Sequence, residues 1–369
     1  MTHEDYMRKA LELARKGMGF TSPNPMVGAV IVRDGEIIGT GYHKKYGDLH
    51  AERTAFAYCD EHGIDCTGAD MYVTLEPCCH HGKQPPCTEA VIAHGIKRVF
   101  VGSSDPNPLV AGKGTEILRG HGIEVTEGVL REECDALNEI FFHFITTGLP
   151  FVTMKYAMTL DGKIACYTGE SKWITGEAAR AHVQQERLRH SAIMAGVGTV
   201  LADDPLLTCR LENGRDPIRI ICDSSLRIPL DSNIVRTAKQ VPTIIATVSE
   251  DSARASEYEA AGCRIIKTVP KDGHVDLSEL MKLLGSEKID SILLEGGGEL
   301  NWSALREGIV SKVQAYIAPK LFGGSGKTPV GGTGVPFPSE AFMLEKCSVT
   351  FVGDDILIES RVKNVHGNN

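Results

Sequence analysis

Runs of apolar residues alternate with amphipathic stretches along most of the chain. The apolar runs, which are typical of buried strands, cover residues 26–32, 70–75, 98–102, 151–157, 192–196, 218–222, 243–248 and 291–294. The first helix is predicted to begin at a capping pattern that Thr2 and Asp5 form. One face of this helix carries the apolar residues Met7, Ala10, Leu11 and Ala14. Strands that alternate with helices in this way predict an α/β fold whose helices cover the sheet.

A cluster of turn residues divides the chain into two parts. The segment 146–150, Thr-Thr-Gly-Leu-Pro, follows a helical stretch at 137–145 and precedes the apolar run at 151–157. A chain of 369 residues also exceeds the roughly 150 residues of an average domain. We therefore expect one domain at 1–146 and a second domain at 150–365.

The composition is that of an ordinary globular protein, with 42% hydrophobic and 24% charged residues. The net charge of −9 provides no basic field for nucleic acid, and no apolar run approaches the roughly 18 residues of a membrane helix. The N-terminal residues Glu4, Asp5 and Glu12 are not typical of a signal peptide. The 11 cysteines are scattered, which favours a reduced, cytoplasmic protein whose clustered cysteines bind metal rather than form disulfides.

The strongest chemical signal lies in two short motifs of the first half. His50 is followed by Glu52 two positions later, and a downstream segment begins with Cys78 and ends with Cys87. One imidazole and two thiolates suit zinc and leave a fourth tetrahedral position for water, whose pKa the metal lowers. A carboxylate beside that position can carry a proton without binding the metal. An H-x-E motif followed by a P-C-x-x-C motif is typical of zinc deaminases.

The spacing of the second motif departs from that pattern. Nine positions, not three, separate Cys78 from Cys87. The intervening loop contains Cys79, His80 and His81 as alternative ligands. Cys78 is favoured because it follows a proline directly, and Cys87 because a helical stretch follows it. A structural zinc site is the alternative interpretation, but such a site usually has four protein ligands and needs no adjacent glutamate.

Around these motifs the sequence resembles a known enzyme family. The relevant segments are SPNPMVG at 22–28, GYH at 41–43, HAE at 50–52, TLEPC at 74–78, PPC at 85–87 and DPNP at 105–108. They are similar to the bifunctional deaminase–reductase family of riboflavin biosynthesis. The resemblance extends over about residues 1–362. It implies a cytidine-deaminase-like three-layer α/β domain, followed by a dihydrofolate-reductase-like α/β domain.

The same resemblance implies the reaction of the first domain. The 2-amino group of 2,5-diamino-6-ribosylamino-4(3H)-pyrimidinone 5′-phosphate would be replaced by oxygen, with release of ammonia. Glu52 would be the catalytic proton carrier. The implied ligands of one Zn²⁺ per chain are His50, Cys78 and Cys87. The residues implied to contact the substrate are Asn24, His43 and Lys83, the last as a point charge for the phosphate.

Glycine-rich segments of the second half differ in what they indicate. Gly196 and Gly198 begin a G-x-G-x-x-G pattern, but Leu201 stands where its last glycine belongs. The segment 322–328 mimics a Walker loop without its first glycine, and a proline follows it. In contrast, the glycines at 296–298 follow an apolar strand and open a helical stretch, so their N–H groups are suited to phosphate.

Other segments of the second half are similar to the reductase half of the same family. They are KYAMTLDGK at 155–163, SKWIT at 171–175, GVGT at 196–199, ADDP at 202–205 and LEGGG at 294–298. The implied reaction is hydride transfer from NADPH to C1′ of the ribosylamino group, which opens the sugar to a ribityl chain. The residues implied to line the NADPH site are Ala157, Trp173, Thr199, Asp203, Ser224, Gly296, Gly297 and Gly298. Those implied to contact the substrate are Ser171, Arg187, Leu206, Arg210 and Glu295, with Lys155 and Asp161 as candidates for polarising the opening sugar.

Two other interpretations remain open. The C-terminal half could be a non-catalytic ligand-binding or oligomerisation domain of a monofunctional deaminase, or the zinc motif could belong to a non-catalytic scaffold. Glu52 argues against the scaffold, because a scaffold has no use for a carboxylate beside an open metal position. The monofunctional interpretation is disfavoured by the joint presence of Lys155, Asp161, Trp173, Arg187 and the Glu295 turn. We expect phosphorylated pyrimidine substrates, no nucleic-acid or membrane partner, and a homo-oligomer.

Overall fold

A computed structural model describes residues 1–81, 84–107 and 110–363 of the chain. The chain divides into two compact units, Met1–Gly148 and Leu149–Asn369, and the division falls inside the turn segment 146–150. Among the described residues, no helix combines the length and the apolar composition that crossing a lipid bilayer requires.

The first unit contains the strands β1 (Gly28–Arg33), β2 (Glu36–Tyr42), β3 (Asp70–Leu75), β4 (Arg98–Ser103) and β5 (Glu124–Glu127). They form one sheet in the order β2-β1-β3-β4-β5. β1 runs antiparallel to both of its neighbours, whereas β3, β4 and β5 run parallel to one another. The parallel strands therefore end at one edge of the sheet.

Helices cover both faces of this sheet. They are α1 (His3–Arg15), α2 (Ala51–Glu61), α3 (Cys87–Ala93), α4 (Lys113–Gly120), α5 (Arg131–Leu137) and α6 (Glu139–Thr147). Alternate side chains of β1 face opposite layers, since Ile31 packs with α2, α3 and α4, whereas Val30 packs with α1 and α5. The result is a three-layer unit. The predicted capping box of α1 is present, with Thr2 and Asp5 each bonding the other's backbone N–H.

Two glycines allow helices to approach the first sheet closely. A Cβ atom on Gly28 would lie 2.0 Å from the carbonyl oxygen of Ala10 in α1, and one on Gly41 would lie 2.2 Å from the carbonyl oxygen of Ala51 in α2. Ala51 is the central residue of the H-x-E motif. Any larger residue at position 41 would push that motif away from the sheet.

The second unit contains the strands β6 (Phe151–Thr159), β7 (Ala192–Gly196), β8 (Ile218–Cys222), β9 (Thr243–Thr247), β10 (Arg264–Lys267), β11 (Pro270–Lys271), β12 (His274–Val275), β13 (Ser291–Leu294), β14 (Lys312–Ala318), β15 (Leu344–Val352) and β16 (Asp355–Val362). Nine of them form a sheet in the order β10-β9-β8-β7-β13-β6-β14-β16-β15, while β11 and β12 form a separate ribbon. The strands from β10 to β14 in this order are parallel. β16 and β15 complete the sheet as antiparallel strands.

The helices of the second unit also pack on both faces of its sheet. They are α7 (Glu177–Arg189), α8 (Val197–Asp203), α9 (Asn233–Arg236), α10 (Ser252–Ala261), α11 (Leu277–Ser286) and α12 (Gly298–Arg306), with one 3-10 turn at Pro338–Glu340. In β7, Ile193 packs with α8, α9 and α10, whereas Met194 packs with α11 and α12. α7 packs on Tyr316 of β14 and Leu357 of β16.

The α/β alternation predicted from the apolar runs is present. All eight predicted strands occur, and the runs 70–75, 192–196, 218–222 and 291–294 have the predicted bounds. The predicted helix at 137–145 is wrong in detail, because α5 ends at Leu137 and α6 begins at Glu139. The prediction missed eight strands, which are β2, β5, β10, β11, β12, β14, β15 and β16. The nine residues of β15 are almost all exposed, so they show no buried apolar run.

Candidate active sites

The residues predicted to bind zinc lie together in the first unit. His50 directly precedes α2, Cys78 follows β3, and Cys87 is the first residue of α3. The His50 Nδ1 atom lies 3.5 Å from Cys78 Sγ and 3.4 Å from Cys87 Sγ. A tetrahedral ion with bonds of about 2.0 Å to nitrogen and about 2.3 Å to sulfur would separate such atoms by about 3.5 Å. The three side chains therefore fit a zinc ion.

Hydrogen bonding between the two thiol groups separates their pKa values. The hydrogen bond with Cys87 lowers the pKa of Cys78 to about 4 despite burial. The same hydrogen bond and burial raise the pKa of Cys87. Zinc takes both groups as thiolates, so its binding must displace the proton that Cys87 holds.

Glu52 lies in the first turn of α2, two residues after the histidine ligand. Its side chain is buried, and desolvation raises the pKa of its carboxyl group, an effect that the neighbouring Cys78 increases and His50 opposes. A buried carboxyl group beside the metal ligands can take up a proton and release it again. This is the arrangement expected of the proton carrier in a hydrolytic site.

His43 lies beside the zinc ligands. Its ring meets the His50 ring edge-on, with 5.4 Å between the centroids. Its Nδ1 atom is 3.1 Å from the Leu49 carbonyl oxygen, and burial lowers its pKa, so the neutral ring donates from Nδ1. Its Nε2 atom is buried and has no hydrogen-bond partner among the described residues, which suits it to accept from a ligand. Asn24 lies in the loop between α1 and β1, and Lys83 lies outside the described residues.

Glu76, two residues before Cys78, has a role that the sequence did not reveal. Its buried carboxylate accepts hydrogen bonds from the backbone N–H groups of Gly112 at 3.0 Å and Gly114 at 2.9 Å, where α4 begins. It also accepts from the N–H group of Asp105 at 3.3 Å. Glu76 therefore fastens the segment after β4 to the turn that presents Cys78. The sequence signal that could have indicated this role is the position of Glu76 in the TLEPC segment.

The predicted cofactor residues of the second unit lie at one edge of its sheet. β8, β7, β13 and β6 are parallel neighbours, so their carboxyl ends share that edge, where ligands bind in open α/β sheets. The residues there are Ser224 after β8, Thr199 and Asp203 in α8, Gly296 and Gly297 after β13, Gly298 at the start of α12, and Ala157 in β6. Their arrangement suits an extended ligand that crosses several strands.

The segment between β6 and α7 carries two further predicted residues, Ser171 and Trp173. The Trp173 side chain is 61% exposed, and the Arg180 guanidinium lies 4.8 Å from the centre of its ring. The ammonium group of Lys320, which the sequence did not indicate, donates to the carbonyl oxygens of Trp173 at 3.1 Å and Ile174 at 2.6 Å. Lys320 thus holds the backbone of this segment while the indole remains accessible.

Three predicted substrate residues form a charged cluster. Arg187 in α7 donates from Nε and Nη2 to the Glu295 carboxylate at 2.7 and 3.1 Å, and Lys155 in β6 donates to the same carboxylate at 3.3 Å. The three side chains are only 11–14% exposed. Burial disfavours the charged form of Glu295, but the charges and hydrogen bonds of Lys155 and Arg187 lower its pKa to about 2. The cluster therefore holds an ammonium group at the carboxyl edge of the sheet.

The carboxylate of Asp161 has other partners. It accepts from the hydroxyl group of Thr159 at 2.5 Å and from the backbone N–H groups of Phe322 at 3.1 Å and Gly323 at 2.6 Å. The Thr159 hydroxyl and these N–H groups lower its pKa to about 2. The Walker-like segment 322–328 thus directs its first N–H groups at a carboxylate of the chain itself rather than at a phosphate.

The loop after α8 carries Leu206 and the exposed Arg210. Arg219, which is fully buried in β8, donates to the Leu206 carbonyl oxygen at 3.2 Å, and Arg187 donates to the Thr208 carbonyl oxygen at 2.9 Å. Arg187 therefore links the charged cluster to this loop. The contribution of Arg219 left no sequence signal, because its partners are backbone and hydroxyl oxygens.

Comparison with known proteins gives matches to both units. The model of the cytidine and deoxycytidylate deaminase zinc-binding region matches residues 1–103, and the model of the RibD C-terminal domain matches residues 150–358. The riboflavin biosynthesis protein RibD of Actinobacillus pleuropneumoniae is 56% identical over 97% of this chain and 95% of its own length. The chain belongs to the RibD family.

Other RibD proteins match along the whole chain as well. RibD of Escherichia coli is 40% identical over 97% of this chain and 99% of its own length. A solved diaminohydroxyphosphoribosylaminopyrimidine deaminase/5-amino-6-(5-phosphoribosylamino)uracil reductase from Thermotoga maritima is 40% identical, with a TM-score of 0.85 and 98% of each chain covered. Acinetobacter baumannii RibD also has a TM-score of 0.85, at 36% identity.

RibD membership confirms the predicted fold class and the bifunctional deaminase–reductase interpretation. The monofunctional alternative is not favoured, because both domains are present. The matched zinc-binding region supports the predicted Zn²⁺, and the RibD reductase domain indicates a nicotinamide cofactor. The individual site residues stay predictions.

Proposed function

We propose that the two halves act in sequence on one phosphorylated pyrimidine. The first half replaces the 2-amino group of 2,5-diamino-6-ribosylamino-4(3H)-pyrimidinone 5′-phosphate by oxygen. The second half then reduces the ribosyl side chain of 5-amino-6-(5-phosphoribosylamino)uracil to ribityl with NADPH. The main support is the tetrahedral spacing of His50, Cys78 and Cys87 beside the buried carboxyl group of Glu52. The name of the Thermotoga maritima relative describes the same pair of activities.

In the deaminase half, His50, Cys78 and Cys87 would hold zinc, which when bound lowers the pKa of a water molecule. Glu52 would receive a proton as the water oxygen bonds to C2 of the pyrimidine, and would pass it to the adjacent ring nitrogen. It would then take the second proton of that oxygen and pass it to the 2-amino group, so that the C2–N bond breaks and ammonia leaves. Its carboxylate is regenerated when ammonia leaves. His43 accepts a hydrogen bond from the substrate at Nε2, and Asn24 pairs with a polar group of the ring.

In the reductase half, the residues at the carboxyl edge of the sheet would hold NADPH, which when bound supplies the hydride. As C1′ accepts the hydride, the bond between C1′ and O4′ breaks and O4′ takes up a proton. Lys155 is the proposed donor of that proton, because Glu295 holds its ammonium group in a nearly buried position. The exposed guanidinium of Arg210 is suited to the 5′-phosphate. Asp161 contributes by fixing the segment at 322–323.

The test is to supply the diaminopyrimidine phosphate to the zinc-loaded protein with and without NADPH, and to identify the products by mass spectrometry. Without NADPH we expect only the deaminated ribosylamino product. With NADPH we expect the deaminated ribityl product, and a parallel reaction with NADH tests the choice of cofactor. Unchanged substrate in every reaction would refute the proposal. Deamination without reduction would restrict it to the first half.

We also propose a homo-oligomer in which β15 of one copy pairs with β15 of a second copy. β15 is the edge strand of the large sheet, and its apolar side chains are exposed, with Phe351 at 76% and Val349 at 59%. These apolar residues lie in its last part, after the irregularity in register between Glu345 and Ser348, and an uncovered apolar edge segment invites pairing. A two-fold axis lets this segment pair with the same segment of a second copy. Sedimentation should show that Phe351→Lys dissociates the oligomer, whereas Tyr58→Lys, at an exposed position of the other unit, does not. A monomeric wild-type protein would refute this.

We further propose a reducing, cytoplasmic location. None of the 11 cysteines, each of which lies in the described part of the chain, forms a disulfide. Thiol titration of the unfolded protein from freshly broken cells should count all of them. Disulfides in that material would contradict the proposal.

A further inference from the structure

Asn138, between α5 and α6, binds a distant part of the first unit. Its side chain is 2% exposed, its Nδ2 atom donates to the Met26 carbonyl oxygen at 2.9 Å, and its Oδ1 atom accepts from the Met26 N–H group at 2.9 Å. One side chain thus satisfies both polar groups of a residue 112 positions away. Neither the deaminase ligands nor the proposed chemistry uses Asn138.

Met26 lies in the loop 24–27, which begins with the proposed substrate residue Asn24. Asn24 is two residues before it, and the carbonyl oxygen of the next residue, Val27, accepts the backbone N–H group of His43 at 3.0 Å. The N–H group of Gly28 then donates to the Thr74 hydroxyl group at 3.2 Å. The Met26 peptide that Asn138 holds therefore lies between the two proposed pyrimidine contacts. Asn24 precedes it in the chain, and His43 is hydrogen-bonded to the residue that follows it.

We propose that Asn138 is a positioning residue of the deaminase half, which holds the loop 24–27 so that Asn24 and His43 meet the pyrimidine. This inference rests on the proposed roles of Asn24 and His43. The amide is required because it offers a donor and an acceptor side by side. Aspartate keeps the acceptor but places an oxygen against the Met26 carbonyl group, and leucine of similar size offers neither group.

A positioning role and a merely structural role differ in their kinetics. If Asn138 only stabilised the fold, its loss would lower kcat in proportion to the folded fraction and leave KM unchanged. If it positions the loop, the metal ligands and Glu52 remain in place while substrate contacts are lost, so KM rises. The contacts at risk are the two proposed hydrogen bonds to the pyrimidine, and losing one such bond typically weakens binding by about 2- to 13-fold. We therefore expect kcat/KM for deamination to fall about 10- to 100-fold, mostly through KM.

The experiment compares Asn138→Leu and Asn138→Asp with the wild-type full-length protein. Zinc content and the reductase rate are measured on the same preparations, and both should stay at the wild-type level. The matched control is Asn233→Leu, which removes an amide that donates to the Asp204 carbonyl oxygen at 2.9 Å in the other unit. This control should leave deaminase KM unchanged. Asn138→Asp retains the acceptor for the Met26 N–H group. Thermal unfolding of both variants sets the temperature at which each is fully folded, and KM is measured below it.

A double-mutant cycle with Asn24→Ala tests the route of the effect. Because Asn138 acts through the loop, Asn138→Leu should raise KM less when Asn24 is already alanine. An unchanged KM in both Asn138 variants, or fully multiplicative effects in the cycle, would overturn the inference while wild-type turnover upheld the proposed function. Failure of the wild-type protein to deaminate the pyrimidine would instead refute the proposed substrate, and this inference with it.

Discussion

The Lys155–Glu295–Arg187 cluster makes the stability of the second unit depend on one carboxylate. Glu295→Gln keeps the shape of the side chain but removes the negative charge that two nearly buried cations share. Breaking a buried ion pair in this way typically costs about 3–5 kcal/mol. For a unit of about 220 residues, each kcal/mol lowers Tm by about 2–4 °C. We therefore expect the unfolding transition of the second unit to fall by about 6–20 °C.

The same variant should change the acid range of stability. The pKa of Glu295 is lowered from 4.5 to about 2, so its contribution is fully present above pH 4.5 and is lost as the pH falls towards 2. Wild-type protein should lose stability across that window, whereas Glu295→Gln should lose less there. Calorimetry between pH 2 and 6 measures both effects, and the deaminase rate of the same samples reports whether the first unit is intact.

The matched control is Glu250→Gln. Glu250 is 90% exposed and lies 3.0 Å from the Lys267 ammonium group, so this ion pair is worth no more than about 1 kcal/mol. If Glu295→Gln shifted Tm no more than Glu250→Gln, the two cations would not depend on the carboxylate. The Glu295 carboxylate would then not be the group that holds the Lys155 ammonium group in place for proton donation.

Three further outcomes are expected. Glu52→Gln should retain zinc but lose deamination by about 10²–10⁴-fold, because proton transfer is removed. Metal analysis and the deamination rate of the same sample check this, and normal turnover would exclude Glu52 as the proton carrier. Cys87→Ser should lose zinc, since a hydroxyl group is a poor substitute for a thiolate, whereas Cys79→Ser should keep it. Loss of zinc from Cys79→Ser but not from Cys87→Ser would make Cys79 the ligand instead. Arg210→Ala should raise the reductase KM and leave deamination near normal, with each step assayed on its own substrate; loss of both activities in folded protein would show that the sites are coupled.

The part of the fold that could be predicted is the part encoded by local sequence. β3, β7, β8 and β13 are short apolar runs between turn residues, and such runs are recognisable because both faces of these strands are buried. The zinc ligands could also be predicted, because each lies in a short motif next to the end of a helix or strand. β15 carries no such pattern, since nearly every side chain on it is exposed.

The part that could not be predicted depends on contacts between distant segments. Asn138 and Arg219 are buried polar residues. Asn138 pairs with the backbone N–H and carbonyl groups of Met26, and Arg219 pairs with backbone and hydroxyl oxygens. Nothing in the residues near Met26 or Leu206 indicates that such a partner is needed. The segment 322–328 lacks the first glycine of a Walker loop, and nothing in its sequence indicates that the N–H groups of Phe322 and Gly323 bind the Asp161 carboxylate.

The two hydrogen bonds between Asn138 and Met26 have a consequence for dividing this enzyme into transferable modules. The matched zinc-binding region ends at residue 103, and a fragment ending there would contain all three metal ligands and Glu52. It would lack the helix junction that holds the substrate loop, as well as Cys134 and Leu137, which pack against α1. Gene fission or domain transplantation should therefore succeed only at 146–150. The segment that a transferred domain needs for substrate recognition is therefore longer than the segment that it needs for metal binding.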